Sequence, residues 1–261
     1  KQYGFFSTDK TEERKLRFAI IEQDDIEINK KDLYGHEMIK SLKTVLMSFF
    51  NVCMREAFIT TDPMQQAELT VPKNKRVLKR KPLSNKNTLK IINHCFSNLD
   101  NIFSWPVLIM AYHGMRNKEV ATLKREDVIL DSNDKIWYFN ITEGKTRNAV
   151  RKVPVHEKLR EHGFIEYCMS IKEGESLFGI TSSMLTNNFN LYRELFDIPP
   201  LNEAGELQTL YSLRHGVITK LQTESNEIKY SLIGHGSNSS TVNYTDTYLS
   251  FAQQIINKIQ Y

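Results

Sequence analysis

From Glu37 to Phe58 the apolar residues Met38, Leu42, Val45, Leu46, Phe49, Phe50, Cys53, Met54 and Ala57 recur at steps of three and four. That is the period of one face of an α-helix, so the spacing predicts a single long amphipathic helix. Asp62-Pro63 is expected to close it, because the residue before a proline is steered away from helical geometry. The first 34 residues alternate charge clusters with one short apolar run, Phe18-Ala19-Ile20-Ile21, and predict no definite element. Further on, Ser84 is placed to cap a helix reaching Leu99, with Leu89, Ile92, Cys95 and Phe96 on its buried side.

A strongly apolar segment, Trp105 to Tyr112, runs into a stretch that is helical by composition and puts Arg116, Glu119 and Leu123 on roughly one face. Three strand-like pieces follow, Val128 to Leu130, Ile136 to Ile141 and Val150 to Val155. The turns between them, Asp131-Ser132-Asn133-Asp134 and Glu143-Gly144-Lys145-Thr146-Arg147-Asn148, predict a small antiparallel meander. After His156 the pattern is helical again, broken at Gly163, Gly174, Pro199-Pro200 and Gly234. The expected fold class is mainly α with a small antiparallel β-sheet.

Composition narrows this picture. The chain has 261 residues, 40% hydrophobic and 25% charged, with a mean hydropathy of -0.43. No apolar run approaches the roughly 18 residues that a helical membrane span needs, so no membrane partner is expected. No secretory signal is recognisable at the amino terminus. Cys53, Cys95 and Cys168 are odd in number and far apart, which fits reduced thiols and a cytoplasmic setting. The length fits one large domain or two ordinary ones.

Charge adds a boundary. The net charge is only +4, yet residues 71 to 82 hold six basic and no acidic side chains: Lys73, Lys75, Arg76, Lys79, Arg80 and Lys81. Pro72 and Pro82 frame this strip, and it lacks a helical apolar stripe, so it reads as an extended linker. Clustered cations of this kind can displace counterions from a nucleic acid; an ordinary solvated linker is the alternative.

Four separated segments carry candidate chemistry. They are Gly114-Met115-Arg116 with Glu119 and Leu123, Lys145 with Arg151, Val153 and Pro154, Tyr211-Ser212-Leu213-Arg214-His215, and Leu232-Ile233-Gly234-His235-Gly236 with Tyr244 nine residues after the histidine. In order and spacing these segments resemble the tyrosine recombinases, or phage integrase family, over most of the chain. The first matches Gly-x-Arg-x-x-Glu-x-x-x-Leu, the second a hairpin lysine followed by Arg-x-Val-Pro, the third His-x-x-Arg-His, and the last Leu-Gly-His followed by the nucleophilic tyrosine. One residue departs from the pattern. Tyr211 stands where the family usually has histidine, and a phenol can donate a hydrogen bond but is a poor base near neutral pH.

The resemblance implies a helical core-binding domain at residues 1–70, the basic linker at 71–82 and a tyrosine-recombinase catalytic domain at 83–261. Complete members usually carry more residues before the last core-binding helix. The implied reaction is site-specific cleavage and rejoining of double-stranded DNA, for integration and excision of a mobile element. A tyrosine oxygen that replaces one ester oxygen at phosphorus keeps a phosphodiester for rejoining, so no nucleotide cofactor is needed. Two arginine forks can hold the extra negative charge of the transition state. The expected catalytic set is thus Arg116, Lys145, Tyr211, Arg214, His235 and Tyr244, with Lys145 as proton donor to the 5′ oxygen and His235 as a hydrogen-bond donor. Glu119 and His215 would orient their neighbours, and Arg147 and Arg151 would join the linker cations in contacting DNA.

Several alternatives stand beside this reading. Lys152 or Arg147 competes with Lys145, and Tyr248 is the rival nucleophile. A type IB topoisomerase would share much of the site, and a DNA-binding protein with a decayed site would explain Tyr211. His94, His113, His156 and His162 lack the spacing of a zinc site, so neither metal nor cofactor is expected. Phe251, Ile255, Ile256 and Ile259 have helical spacing that fits packing on their own domain; the family's habit of docking a terminal helix on a neighbour is the other option. The implied assembly is a homotetramer on DNA, monomeric or weakly associated when free, with accessory DNA-bending proteins as further partners. The implied location is a prokaryotic cytoplasm, on the nucleoid.

Overall fold

A computed structural model of the chain describes residues 2–6, 17–21, 36–66, 80–142, 150–234 and 248–261. The chain divides into two compact units, Lys1–Val77 and Leu78–Tyr261. In the first, strands β1 (Gln2–Phe6) and β2 (Arg17–Ile21) pair antiparallel, with Phe5 opposite Phe18. The sequence did not announce this pair, because a charged stretch separates the strands and no two-residue turn signature joins them.

Helix α1 (His36–Arg55) spans the predicted segment, with Met38, Val45, Phe49 and Met54 of its apolar face exposed. Its end is not where the sequence placed it. The chain leaves the helix at Ala57, which takes a left-handed backbone with φ 56. Asp62-Pro63 instead begins a helix, α2 (Pro63–Gln66), with the Asp62 carboxylate accepting from the Met64 amide at 2.8 Å. Proline is favoured at the first helical residue because the amide it lacks would have no partner there.

The second unit is built around α4 (Ser104–His113), all ten of whose residues are buried. A helix apolar on every side belongs at the centre of a domain. Val107, Leu108 and Ile109 are fully buried, each worth about 1.5–3 kcal/mol relative to exposure. Helix α3 (Asn85–Ser97) packs on one side of it; the Ser84 hydroxyl accepts from the Asn87 amide at 3.2 Å, as the capping signal predicts. Its buried face is Thr88, Ile91, Ile92 and Cys95, while Leu89 is exposed and Phe96 only half-buried. The stripe is thus rotated by about one residue from the predicted one, since the polar Thr88 turns inward under α4.

After α5 (Asn117–Ala121) and a short 3-10 turn, strands β3 (Val128–Leu130), β4 (Trp137–Ile141) and β5 (Arg151–Pro154) form the expected antiparallel meander in the order β3-β4-β5. Val153 lies opposite Phe139, and Arg151 opposite Ile141. Helices α6 (Glu157–Glu161), α7 (Phe164–Ser170), α8 (Ser182–Leu195), α9 (Tyr211–Lys220), α10 (Asn226–Ile233) and α11 (Tyr248–Asn257) complete the unit. Among the described residues the architecture is mainly helical, with a three-stranded sheet in the second unit and a two-stranded pair in the first.

The carboxyl-terminal residues dock on their own unit. Ala252, Ile255, Ile256 and Ile259 are buried, while Phe251, expected to pack with them, is exposed. The Tyr261 hydroxyl donates to the Ala111 carbonyl at 2.8 Å. Two buried histidines sit under this tail. His113 accepts from the His156 amide through Nε2 at 2.9 Å, and its Nδ1 lies 3.2 Å from the Ile109 carbonyl. His156 accepts from the Lys158 amide through Nδ1 at 3.0 Å, so its Nε2 carries the proton toward the Ile259 carbonyl at 3.1 Å. Both rings are neutral: burial pulls His113 down to about 3 and His156 to about 4. No described helix is long and apolar enough to cross a membrane.

Candidate active site

The last four carbonyls of any helix lack intrahelical partners and carry its negative dipole end. At the end of α10 three of them in succession meet three arginines. Arg151 Nε donates to the Leu232 carbonyl at 3.0 Å, Arg214 Nη2 to Ile233 at 2.9 Å, and Arg116 Nη2 to Gly234 at 2.5 Å. Gly234 has φ +67, the left-handed backbone that ends many helices. A side chain there would also collide: an added Cβ would lie 2.8 Å from Arg151 Nη1.

Each arginine arrives from a different element. Arg214 lies in the first turn of α9 and is completely buried, its Nη1 also bonded to the Gly114 carbonyl. Gly114 in turn closes α4 with φ +60; an added Cβ would sit 2.9 Å from Ile233 and 3.0 Å from Val217. The two glycines of the sequence motifs thus let α4, α9 and α10 approach closely enough for the arginines to reach across. Arg116 is not on a helix, as its spacing predicted, but one residue ahead of α5 with extended backbone. The left-handed turn at Gly114 has already ended the preceding helix. Glu119 then reaches back, accepting from the Arg116 amide at 2.9 Å and from Arg116 Nη1 at 2.6 Å.

Arg151 corrects another expectation. It is expected to join the linker cations in contacting DNA, yet it is 2% exposed. Its fork grips both Glu119 oxygens, at 3.1 and 2.8 Å. The signal was present in the strand period: Arg151 and Val153 alternate with Lys152, so the arginine shares the core-facing side of β5.

Two guanidinium groups therefore bind one carboxylate, with that of Arg214 as a third cation nearby. Burial by itself would push the Glu119 carboxyl up, but hydrogen bonds and charge from Arg151, then Arg116, hold it down at about 2. Arg214 is pulled down to about 10, first by burial and then by the neighbouring arginines. Its Nε is buried with no hydrogen-bond acceptor among the described residues, and the Arg116 side chain is 33% exposed. A cluster with this excess of fixed cations, one of them facing solvent, is chemically suited to hold an anion.

Tyr211 opens α9 beside this cluster. Its ring meets the His215 ring edge-on at 5.2 Å, with the Arg214 guanidinium 5.8 Å from its centroid. The Arg80 guanidinium lies 5.9 Å from the same centroid. The carboxyl-terminal end of the basic strip is held there by a bridge between Arg80 and Leu207, while Lys81 lies 3.9 Å from Glu206. The expected residues Lys145, Arg147, His235 and Tyr244, with Lys73, Lys75, Arg76 and Lys79, lie outside the described residues. Their segments nevertheless join the cluster in sequence: His235 directly follows Gly234, and Arg151 opens the strand after the segment with Lys145. Tyr248, the rival nucleophile, is 7% exposed in the first turn of α11.

No family profile and no curated protein matches this chain. Solved structures do. A lambda integrase fragment, crystallised as a dimer bound to a core site, is 18% identical, with a TM-score of 0.54 over 80% of this chain and 77% of that one. The Tn1549 transposon integrase in complex with a circular intermediate DNA is 14% identical, with a TM-score of 0.57 over 85% and 75%. A lambda integrase tetramer bound to a Holliday junction is 16% identical, with a TM-score of 0.50 over 82% and 69%. Likeness over four-fifths of the chain at such low identity is a likeness of fold, and the fold of this chain is that of the tyrosine recombinases.

Proposed function

We propose that the protein is a site-specific DNA recombinase that cuts and rejoins strands through a 3′-phosphotyrosyl intermediate. The observation that carries this is the convergence of Arg116 and Arg214 on adjacent carbonyls, Gly234 and Ile233, immediately before His235. Two cations fixed by carbonyls and a carboxylate need little reorganisation as charge builds at phosphorus, which is the condition for strong electrostatic stabilisation.

In the proposed reaction the Tyr244 oxygen releases its proton to water and attacks the scissile phosphate, and the 5′ oxygen leaves. Arg116 and Arg214 hold the nonbridging oxygens, and His235 donates a further hydrogen bond. Lys145 gives the departing 5′ oxygen its proton. Tyr211, flanked by Arg214 and Arg80, donates a hydrogen bond from the place where the family usually has histidine. Glu119 and His215 hold Arg116 and Tyr211 from behind. The bond energy stays in the phosphotyrosine, so a free 5′ hydroxyl of the partner strand can reverse the step and complete exchange.

The same reading makes residues 1–70 the core-binding domain and 83–261 the catalytic domain, joined by the basic strip 71–82 along the duplex. Lys73, Lys75, Arg76, Lys79, Arg80, Lys81 and Arg147 would contact phosphates. Four protomers would act on two duplexes through a Holliday junction, to integrate and excise a mobile element in a prokaryotic cytoplasm, with accessory bending proteins where the site requires them. The dimer, tetramer and circular-intermediate complexes of the structural relatives support this assembly by analogy.

The test is a suicide duplex that traps the covalent adduct. Tyr244→Phe is expected to abolish the adduct while duplex binding persists, and Tyr248→Phe to retain it, in keeping with the burial of Tyr248. An adduct that survives Tyr244→Phe and disappears with Tyr248→Phe would reassign the nucleophile. Binding without any adduct would favour a decayed site, and relaxation of supercoils without site preference would favour a topoisomerase.

A further inference from the structure

We propose that Arg151 is a positioning residue of the strand-cleavage site, setting the Leu232–Gly234 turn and, through Glu119, the guanidinium of Arg116. The inference rests on the phosphotyrosyl reading and gives Arg151 a role other than the DNA contact expected of it. Arg151 is the common partner of both walls of the site. Nε holds the Leu232 carbonyl, and the fork holds the two oxygens of Glu119, whose Oε1 also binds Arg116. Its backbone is fixed by pairing with Ile141 across the sheet. It thereby ties the sheet edge beside the Lys145 segment to the end of α10 and to the turn before α5.

Packing around the guanidinium is close. A Cβ on Gly234 would come within 2.8 Å of Arg151 Nη1 and 3.0 Å of its Cζ. Nothing smaller or unbranched can span both contacts: a lysine ammonium offers charge without the planar fork. Without Arg151 the Leu232 carbonyl loses its donor, and Glu119 is left to pull on Arg116 alone. A displacement of about 1 Å at a reacting group can cost about 100-fold in rate. Among the described residues, Arg116 from the turn before α5, Arg151 from β5 and, at longer range, Arg214 from α9 are the cations that face Glu119.

The test compares the unmodified chain, Arg151→Lys and Arg151→Gln in single-turnover adduct formation on a suicide duplex. Rates are read between about pH 5 and 8, beside duplex affinity and urea melting. Arg151→Gln is expected to cleave about 100-fold more slowly at unchanged affinity. Its rate relative to the unmodified chain should fall further toward acid, as Glu119 takes up a proton. Arg151→Lys should restore the flat relative pH profile and part of the rate, because it keeps a charge opposite Glu119. Should Arg151→Gln fail to fold, a lysine variant slower than the unmodified chain at equal affinity supports the proposal and equal rates overturn it. It is also overturned if both variants lose rate only in proportion to their unfolded fraction at every pH, or if the loss is in affinity, the mark of a DNA contact. Failure of the unmodified chain to form an adduct removes the strand-cleavage reading itself, whereas normal cleavage by all three removes the role of Arg151 alone.

Discussion

The second unit packs basic side chains inside itself in two opposite ways, around Arg151 and Arg214 and around His113 and His156. At the end of α10, Arg116, Arg151 and Arg214 keep their charge, held by Glu119 and by four backbone carbonyls. Under the carboxyl-terminal tail, His113 and His156 are equally enclosed but give up theirs, each ring using one nitrogen as donor and one as acceptor. The arginine cannot deprotonate at ordinary pH, so it must be matched; the histidine can, so neutrality is the cheaper solution. The first arrangement makes a place for an anion, while the second makes a structural joint.

The comparison breaks most severely at Arg214. Arg214→Ala should eliminate the covalent adduct and destabilise the unit, with each carbonyl it abandons costing about 1–3 kcal/mol. A urea melt that does not move would show that Gly114 and Ile233 find other partners.

Acid should separate the two clusters. Both histidines have folded values below the 6.5 of the free ring. Between those values the unfolded chain binds protons that the folded one refuses, so stability is full above about pH 6.5 and falls as pH drops toward 4 and 3. At about pH 5 the expected loss is roughly 2–4 kcal/mol. Glu119 follows later, its contribution being present above 4.5 and lost as pH falls toward about 2. Urea melts from neutral to acid pH should therefore weaken first through the histidine joint, and His113→Phe should flatten that first slope. An unchanged slope would assign the acid sensitivity elsewhere.

Gly234→Ala sharpens the same contrast at a smaller scale. The left-handed backbone and the 2.8 Å approach to Arg151 Nη1 predict a cost of about 1–3 kcal/mol and a slower adduct, measured by thermal melting and by trapping. Equivalent cleavage by the alanine variant would mean that the arginines tolerate movement of the turn. The smallest effect on stability is expected at Tyr211→Phe, within about 0.5 kcal/mol, because the ring is only half-buried. Its adduct should nevertheless form more slowly if the hydroxyl assists the phosphate, and an unchanged rate would remove Tyr211 from the chemistry.

Much of the scaffold was legible beforehand. The meander followed from three apolar pieces with turn residues between them, and the cap at Ser84 from a hydroxyl preceding a helical stripe. The β1–β2 pair was not, because pairing across a long polar connection leaves no local trace. Asp62-Pro63 was misread since the same dipeptide can end one helix or begin the next, and only the left-handed Ala57 decides between them. Motif spacing names Arg116, Glu119 and Arg214, which the fold brings together, whereas Arg151, expected among the DNA contacts, is buried.

By itself, then, the sequence determined the residue types of the cluster, their order, and the local periodicity that places Arg151 on a strand. Those depend on neighbours a few residues apart. Only the tertiary structure decided that Leu232, Ile233 and Gly234 each receive a different arginine, because hydrogen-bond partners separated by 19, 81 and 118 residues are selected by packing of α4, α9, α10 and β5, which no local pattern encodes.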